Sequence, residues 1–393
     1  MKTNKTPIPS NNLPDCPIQV SIATQSWEKR EIYRLRYEVY IQEMAKPLGS
    51  KFSKNKQLCD SLDNRSILLY AQAGGDIAAT MRLTIATAED YSADLAEVFL
   101  MHKSKVLLSH LPNPRFGLGT KLAVKAKYRH SPALYLIITE AYRLLRENKV
   151  QLCFTGCNPS LIPLYERMGF RKFAGNFTDP GYGLLVSLVM VVEDIDYFQA
   201  VKSPLYRHIR KYTNDLTIAQ RFSQAFPEIS KHPNTQLVTR KILWEYVQRK
   251  LSTSPALIPT FKNIDKVSIG DLLLAGVIFH CAPGDYIIYQ HSVCDDLYIL
   301  ISGSLLATSQ AELRTLHPGD HFGGFTLTNQ IRQMESVSAQ TESDVFVLPR
   351  QAFTRYQRLH QQAAEILLNN LTSIPEFAYA CASLTNQGGQ NHE

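Results

Sequence analysis

Apolar and polar positions follow two different periods in the first half of the chain. From Trp27 to Met44, apolar and aromatic residues recur every three or four positions, which predicts an amphipathic helix. Ile67–Ala73 and Ile77–Ile85 are shorter apolar runs separated by Gly74-Gly75-Asp76. Two apolar runs joined by a glycine turn are typical of a β-hairpin.

Strands and helices continue to alternate after the hairpin. Ser131-Pro132 predicts the start of a helix, with serine as the N-cap and proline at the first helical position. The other predicted elements are the strand Thr120–Val124, the strand Val150–Thr155, the short helix Pro159–Arg167 and the strand Leu184–Val192.

The second half has a different pattern. From Phe279 to Leu348, short strands alternate with Gly, Pro and Asp turns, and Arg350–Leu371 is predicted to be one helix. The chain therefore predicts the α+β class, with a mixed α/β domain followed by an all-β domain that ends in helix. The predicted parts are a lead (1–17), the mixed domain (18–211), a helical linker (212–268), the all-β domain (269–375) and a polar tail (376–393).

Composition fits a soluble two-domain protein. The 393 residues exceed one ordinary core, since domains commonly hold roughly 100–200 residues. Hydrophobic residues make up 45% and charged residues 20%. The net charge of +7 suits an anionic cofactor or an acidic carrier protein, but there is no dense Lys/Arg block, so nucleic acid is not an expected partner.

Seven cysteines without framework or metal-ligand spacing predict free thiols in a reducing compartment, and no metal site is expected. Met1–Asp15 is polar and lacks the apolar core of a signal peptide. The longest apolar run, Leu184–Val192, is too short to span a bilayer. We therefore expect a cytoplasmic protein with no integral membrane segment.

A more specific signal follows the strand Val150–Thr155. Gly156-Cys157-Asn158-Pro159 is followed by Leu164-Tyr165-Glu166-Arg167-Met168-Gly169-Phe170. An asparagine after a strand, followed by Tyr-Glu-Arg-x-Gly-Phe, resembles the GNAT acyltransferase superfamily, and the resemblance covers roughly 18–211. It implies a sheet with two splayed parallel strands that accepts an acyl thioester.

The resemblance assigns the thioester donor to three places in the chain. The strand edge Leu122, Ala123 and Val124 would pair with the pantetheine arm. The helix start at Arg129, His130 and Ser131 would offer N–H groups to phosphate. The family's glycines are missing from this loop, and Pro132 removes one donor. A phosphopantetheine on an acyl carrier protein would tolerate this better than CoA, and both donors stay open.

Two residues of the motif have expected roles. Tyr165 could protonate the departing thiolate, and Asn158 could hold the pantetheine arm. The alternatives are that Tyr165 is a core residue and that Asn158 is only a helix cap.

Within the superfamily the chain looks most like autoinducer synthases and long-chain N-acyl amino acid synthases. The similar segments are Leu35–Tyr40, Asp63 before Ser66–Leu69, Thr80–Leu83, Asp194–Tyr197 and Ser203–Leu205. The likeness implies a small amine acceptor, with Glu43, Asp60 and Asp63 near its ammonium group and Glu43 and Asp63 in catalysis. For each carboxylate, a solvated surface role is the alternative.

One departure bears on activity. Those synthases carry Glu-x-Ser-Arg before the cofactor loop, where this chain has Leu118-Gly119-Thr120-Lys121. An amine must be neutral to attack, so another acid, a water chain or positioning alone must replace the missing glutamate. The remaining interpretation is a domain that binds without catalysing.

The second half resembles the cyclic-nucleotide-binding domain, a β-roll, over roughly 269–371. The similar segments are Ala282–Ile287, Asp296–Gly303, Leu316–Gly323, Val337–Ala339 and Val345–Leu348. The resemblance places nucleotide binding at Gly323, Gly324, Phe325, Arg332 and Gln333. The family's glutamate is replaced by Gly324 and its arginine position falls on Gln333, with Arg332 adjacent, so cyclic nucleotide, another ligand and a structural role all stay open.

Three functions follow from these features. The first is an N-acyltransferase that moves an acyl group from a thioester to a small amine under control of the C-terminal domain. The second is a cyclic-nucleotide-regulated, CoA-dependent protein lysine acetyltransferase, and the third is a degenerate acyl-binding sensor protein. The helix Arg350–Leu371 is open to two interpretations, a homodimer seam or packing on its own β-roll.

Overall fold

The structure is a computed structural model of the chain. It describes residues 17–44, 55–179, 182–212, 214–231, 234–310, 312–323 and 333–372. Within these ranges no helix combines the length and apolar character needed to cross a membrane.

The helices are mostly short. They are α1 (Ser26–Tyr37), α2 (Ala93–Val98), α3 (Met101–Leu107), α4 (Ala133–Glu147), α5 (Ile162–Arg167), α6 (Ile195–Ala200), α7 (Tyr206–Ile209), α8 (Thr217–Ala225), α9 (Arg240–Leu251), α10 (Lys266–Ala275), α11 (Arg350–Leu359) and α12 (Gln361–Thr372).

The strands fall into a first group in the mixed domain and a second group near the C-terminus. The first group is β1 (Gln19–Ile22), β2 (Ile67–Ala73), β3 (Asp76–Ala86), β4 (Arg115–Val124), β5 (Val150–Cys157), β6 (Arg171–Lys172), β7 (Phe177–Asp179) and β8 (Gly183–Val191). The second group is β9 (Val277–Cys281), β10 (Tyr286–Ile288), β11 (Leu297–Ser302), β12 (Leu305–Thr308), β13 (Leu313–Leu316), β14 (His321–Gly323), β15 (Ser336–Ala339) and β16 (Ser343–Leu348).

Contacts divide the chain into two compact units. The first unit contains residues up to Thr87 and Arg115–Cys153, and the second contains Ala88–Pro114 and everything from Phe154 onward. These units differ from the predicted domains, whose boundaries stay a prediction. Each unit holds one of the two tryptophans, Trp27 on α1 and Trp244 on α9.

The first unit is built on strands in the order β1-β2-β3-β4-β5. The predicted hairpin is confirmed, because β2 and β3 pair antiparallel with Leu69 opposite Met81. Gly74 and Gly75 make its turn with φ angles of 56° and 87°, a left-handed backbone that favours glycine.

The predicted helix Trp27–Met44 is confirmed as α1 followed by a π-helical turn, Glu38–Glu43. Ile32 and Leu35 are buried, as their spacing predicts. Arg36 is fully buried on the same helix, which the apolar pattern did not predict.

In the second unit the strand order continues from the end of β5 to β8 and β6, and β7 pairs with β8. The second group of strands forms two antiparallel four-stranded sheets, β10-β15-β12-β13 and β14-β11-β16-β9, which we call the β-roll. These short strands, joined at glycine turns, confirm the predicted all-β architecture of the C-terminal part. Together with the mixed α/β part before it, the β-roll confirms the predicted α+β fold class.

The helices after residue 240 pack on the β-roll through one apolar core. That core joins side chains from α9, α10, α11 and α12 to inward-facing residues of β9, β11 and β16. Its most enclosed members are Ile269, Leu272, Leu297, Ile299, Phe346, Leu348, Ala364 and Leu367.

Among the described cysteines, Cys59, Cys153, Cys157, Cys281 and Cys294 are free thiols. Cys153, Cys157 and Cys281 are buried, which confirms the predicted free thiols at those positions. Burial raises the pKa of Cys153 to about 12, so this thiol is inert near neutral pH.

Candidate functional site

A buried ionic cluster lies in the first unit, where α1, the turn Ser61–Arg65 and β3 meet. Asp63 Oδ1 accepts hydrogen bonds from Arg36 Nη1 at 2.8 Å and from Arg82 Nη1 at 3.3 Å. Its other oxygen accepts from the backbone N–H of Asp60 at 2.9 Å. The side chains of Arg36 and Asp63 are 0% and 1% exposed. Asp63 is therefore the partner of opposite charge for two buried guanidinium groups.

The rim of this cluster is more open. Asp60 pairs with Arg82 and lies 3.7 Å from Lys121 Nζ, and its side chain is 40% exposed. Burial alone would raise the pKa of Asp60, but the charges of Arg82 and Lys121 outweigh it and lower that pKa. Arg82 Nε also donates to Thr120 Oγ1 at 2.8 Å.

Cations outnumber carboxylates among the described ion pairs of the cluster. Arg36, Arg82 and Lys121 supply three cations, and Asp60 and Asp63 supply two anions. The Lys121 and Asp60 end is the more open one, with side chains 12% and 40% exposed. This end offers a cation to a small anion such as a carboxylate.

The strand predicted to receive the pantetheine arm contains an irregularity. Lys121 has φ of 54°, and the pairing of β3 with β4 shifts register between Thr80 and Arg82, as at a β-bulge. The carbonyl of Leu122 accepts a hydrogen bond from Tyr40 Oη at 2.6 Å. Ala123 and Val124 pair with Thr80 and Ala79 of β3. The bulge therefore turns Lys121 toward Asp60, while Ala123 and Val124 stay paired with β3.

The helix start predicted to bind phosphate lies within a few residues of the predicted position. α4 begins at Ala133, so Pro132 is its N-cap, which corrects the expectation that Ser131 is the cap and Pro132 the first helical residue. Ser131 Oγ still accepts from Ala133 N–H at 3.2 Å and donates to the Tyr128 carbonyl at 2.7 Å. Pro132 has φ of −70° and ψ of 0°, and the Ser131 hydroxyl still accepts from the first turn of the helix.

Two residues predicted for different roles meet beside that helix. Arg129, predicted to bind cofactor, forms a two-point ion pair with Glu43, predicted to be catalytic. His130 is exposed. An anionic phosphate would have to compete with Glu43 for the Arg129 guanidinium.

In the second unit the motif residues Asn158 and Tyr165 both follow the end of β5. Asn158 follows β5, and its Nδ2 donates to the carbonyls of Leu184 at 3.1 Å and Tyr182 at 3.4 Å. Tyr165 lies on α5, is 9% exposed and packs edge-on against Phe170 with ring centroids 5.6 Å apart. The proposed roles of both side chains stay predictions.

The predicted nucleotide site is described only in part. Gly324, Phe325 and Arg332 lie outside the described residues. Gly323 has φ of 78°, and a Cβ there would lie 2.6 Å from the Asp296 carbonyl. Gln333 is buried, and its Nε2 donates to the Cys294 carbonyl at 3.2 Å. Its side chain therefore fixes a neighbouring loop in this structure.

Sequence reasoning gave no role to Arg36, Arg82 or Lys121. A signal was present, because Arg82 is the only charged residue in the predicted strand Ile77–Ile85. A charged side chain inside a buried strand requires a partner of opposite charge.

Two family models match the chain. Residues 31–191 match "N-acyl amino acid synthase FeeM", and residues 278–359 match "Cyclic nucleotide-binding domain". A comparison with curated proteins finds no match.

The chain also has similarity to several solved structures. FeeM from uncultured soil microbes is 10% identical, with a TM-score of 0.39, over 49% of this chain and 98% of that one. The catabolite activator protein of Thermus thermophilus is 20% identical, with a TM-score of 0.29, over 33% of this chain. This chain spans 63% of the Thermus protein. A kinase A regulatory subunit from Trypanosoma cruzi, bound to guanosine, is 18% identical, with a TM-score of 0.31, over 53% of this chain and 59% of that one.

The assignments rest on the family models, and both predicted resemblances are confirmed. Residues 31–191 therefore resemble the FeeM family of N-acyl amino acid synthases, which supports an N-acyltransferase enzyme, and residues 278–359 resemble the cyclic nucleotide-binding domain.

Proposed function

We propose that this protein transfers an acyl group from a thioester on acyl carrier protein or CoA to the amino group of a small amino acid, under regulation by its C-terminal domain. The family match of residues 31–191 supports the reaction type. The expected cytoplasmic location and a homodimeric state belong to the same proposal.

The observation that carries the choice of acceptor is that cations outnumber carboxylates among the described ion pairs of the cluster in the first unit. Asp60 and Asp63 were predicted to attract an ammonium group, but three cations already balance them. The partly exposed Lys121 end therefore favours a carboxylate. An amino acid supplies both the carboxylate to bind there and the amine to be acylated.

The reaction forms one C–N bond and breaks one C–S bond. The amine attacks the thioester carbonyl and gives up a proton, and the sulfur leaves as a thiolate that needs one. In this proposal Lys121 and Arg82 of the first unit orient the acceptor. Protonation of the thiolate is assigned to Tyr165 on the family resemblance alone. The missing glutamate of the synthase pattern is replaced by positioning, which can lower a barrier by about 7–11 kcal/mol in favourable cases.

The test compares acceptors that differ only in the carboxylate. The purified chain is incubated with acyl carrier protein or CoA thioesters and either an amino acid or its decarboxylated amine, and N-acyl products are measured by mass spectrometry. We expect the amino acid to be acylated at least about tenfold faster, a difference that corresponds to one charge-assisted contact.

A matched pair of variants checks the source of this preference. Lys121→Met should remove most of it, whereas Lys241→Met, on the exposed face of α9, should leave it unchanged. Equal rates for amino acid and amine would refute the proposed acceptor. Acylated lysines on added proteins, without a small product, would instead favour the protein acetyltransferase.

A further inference from the structure

Glu166, which directly follows the predicted acid Tyr165, is enclosed by residues from distant parts of the second unit. Its side chain is 1% exposed. Glu166 Oε2 accepts from Thr235 N–H at 2.8 Å and from Thr235 Oγ1 at 2.5 Å. Lys172 Nζ lies 3.9 Å from Glu166 Oε1. The helix that carries Tyr165 is therefore held through Glu166 by the segment that leads to the β-roll and by Lys172.

Lys172 continues this connection into the β-roll. Its Nζ donates to the carbonyl of Ile278 on β9 at 3.1 Å. Asn176 Nδ2 donates to the carbonyl of His280, two residues further along β9, at 2.6 Å. β9 pairs with β16 and is the last strand in its sheet. The two side chains thus occupy carbonyls on the edge of β9 that has no strand partner in that sheet.

β9 is tied in turn to a group of polar side chains around Asp344 on β16. Asp344 interacts with His280 Nδ1 at 2.9 Å and with Lys250 Nζ at 2.6 Å. Tyr246 Oη donates to it at 3.1 Å and Ser302 Oγ at 3.2 Å. Three strands of the β-roll and α9 therefore share one buried carboxylate, and a displacement in any of them reaches β9.

We propose that the Glu166–Lys172 pair positions helix α5, and with it Tyr165, according to the position of strand β9 in the cyclic-nucleotide-binding domain. The pair consists of positioning residues, because neither is assigned to the reacting atoms.

The environment of the pair makes it sensitive to small shifts. Burial raises the pKa of Glu166 and lowers the pKa of Lys172, so each charge depends on its few partners. The Lys172 ammonium lies between a carboxylate in the synthase match and a backbone carbonyl at the start of the cyclic nucleotide-binding match. If β9 moves away, the Lys172 ammonium loses its hydrogen bond to the Ile278 carbonyl. It must then find another acceptor, and the movement of its side chain shifts β6 or α5. The effect on catalysis rests on the proposed function, whereas the mechanical link does not.

The test is a double-mutant cycle read by hydrogen exchange of the full chain. His280→Ala disturbs β9 from its far side, since this side chain contacts Asp344 and Glu342. Exchange is followed by mass spectrometry in the peptide 164–170, whose Met168, Gly169 and Phe170 amides bond to carbonyls of α5. The cycle is measured in the natural background, in Lys172→Met and in the control Lys241→Met, whose side chain is 85% exposed.

We expect His280→Ala to accelerate exchange in 164–170 about fivefold in the natural and Lys241→Met backgrounds, and less than about twofold in Lys172→Met. A merely structural Lys172 would give the same acceleration in all three. Equal acceleration, or none in the natural background, overturns the proposal. If Lys172→Met does not fold, Thr235→Val takes its place in the cycle, with the same expected and contrary results.

The kinetics of acyl transfer provide a second test that is independent of the hydrogen-exchange measurement. His280→Ala should lower kcat for acyl transfer while KM for the amino acid stays unchanged, and this loss should disappear in Lys172→Met. A change confined to KM would contradict positioning of Tyr165. If the natural chain shows no acyl transfer, the proposed function fails while the exchange cycle still decides the mechanical link.

Discussion

At the scale of single residues, Asp63 is the partner on which two buried guanidinium groups depend. Removing its charge with Asp63→Asn should leave Arg36 and Arg82 undercompensated in a buried site. Breaking a buried pair in this way costs about 3–5 kcal/mol, and we expect a loss near the lower figure because asparagine still accepts a hydrogen bond. Urea unfolding measures the change.

Asp60→Asn is the matched control, since the same charge is removed from a side chain that is 40% exposed. Its loss of stability should stay below about 1 kcal/mol. Equal losses of unfolding free energy in the two variants would show that burial does not determine how much the Asp63 charge contributes to stability.

His321 gives a pH dependence with a definite sign. Burial lowers the pKa of His321 from its ordinary 6.5 to about 4, and Thr260 Oγ1 lies 3.1 Å from its Nδ1. The folded state thus favours the neutral ring, so its contribution to stability is present above pH 6.5 and is lost as pH falls toward 4. Between pH 7 and pH 5 we expect a loss of about 2 kcal/mol from this group.

The variant His321→Gln removes this titration. Its free energy of unfolding should fall less between pH 7 and pH 5 than that of the natural chain. Parallel decline of the two proteins would mean that His321 is not the group responsible.

Residues in a contiguous motif could be identified from the sequence, whereas residues that meet only in the folded chain could not. Tyr165 and Asn158 belong to a contiguous motif, so a resemblance is enough to find them. Arg36 and Arg82 form a site only because α1 and β3 converge on Asp63, and that convergence is a property of the folded chain. Glu43 was predicted to lie near the acceptor's ammonium group and to act in catalysis, but its pairing with Arg129 spans 86 positions and has no local signal.

At the scale of elements, the C-terminal helical region is where expectation and structure differ most. The sequence predicted one helix over Arg350–Leu371, whereas the structure has α11 and α12, with His360 between them at φ −132° and ψ 56°. Apolar residues continue through the break, so periodicity alone does not reveal it. The bend lets both helices pack on the β-roll, which favours that interpretation over a dimer seam.

Two leucines in this region test that packing. Leu367 on α12 is 0% exposed and belongs to the β-roll core, whereas Leu359 at the end of α11 is 81% exposed. Leu367→Ala should cost about 2–5 kcal/mol, and Leu359→Ala should stay within about 0.5 kcal/mol. Thermal unfolding of both variants makes the comparison, and a large loss at Leu359 would point to an interface that covers it.

Strand β4 shows why element boundaries were harder to predict than element order. Thr120–Val124 was expected, but the strand begins at Arg115. Gly117 and Gly119 lower the strand propensity of its first half. Gly117 is needed there for packing, since a Cβ at this position would lie 2.6 Å from Leu145. The sequence shows the glycine but not the leucine side chain that approaches it.

At the scale of the whole molecule, the second unit joins the C-terminal part of the synthase match to the cyclic nucleotide-binding domain. Cutting the chain after Lys211, at the predicted domain boundary, would remove Thr235 and Ile278 from Glu166 and Lys172. A hydrogen bond to a charged group contributes about 1.5–3 kcal/mol, so the loss of these bonds should make residues 1–211 alone markedly less stable.

Thr235→Val in the full chain should reproduce only part of this loss, because the backbone N–H still bonds Glu166. Circular dichroism melting of the fragment and of this variant measures both effects. A fragment that melts like the full chain would show that residues 18–211 fold independently, as the predicted domain boundaries imply.

The placement of the two tryptophans has a practical consequence. Trp27 is 50% exposed in the first unit, and Trp244 donates from its indole to Gln248 in the second. Replacing either one with phenylalanine leaves a single indole whose emission reports on one unit alone. Denaturation followed in the two variants would therefore resolve, from intrinsic fluorescence without any added dye, whether the units lose their structure together or in succession.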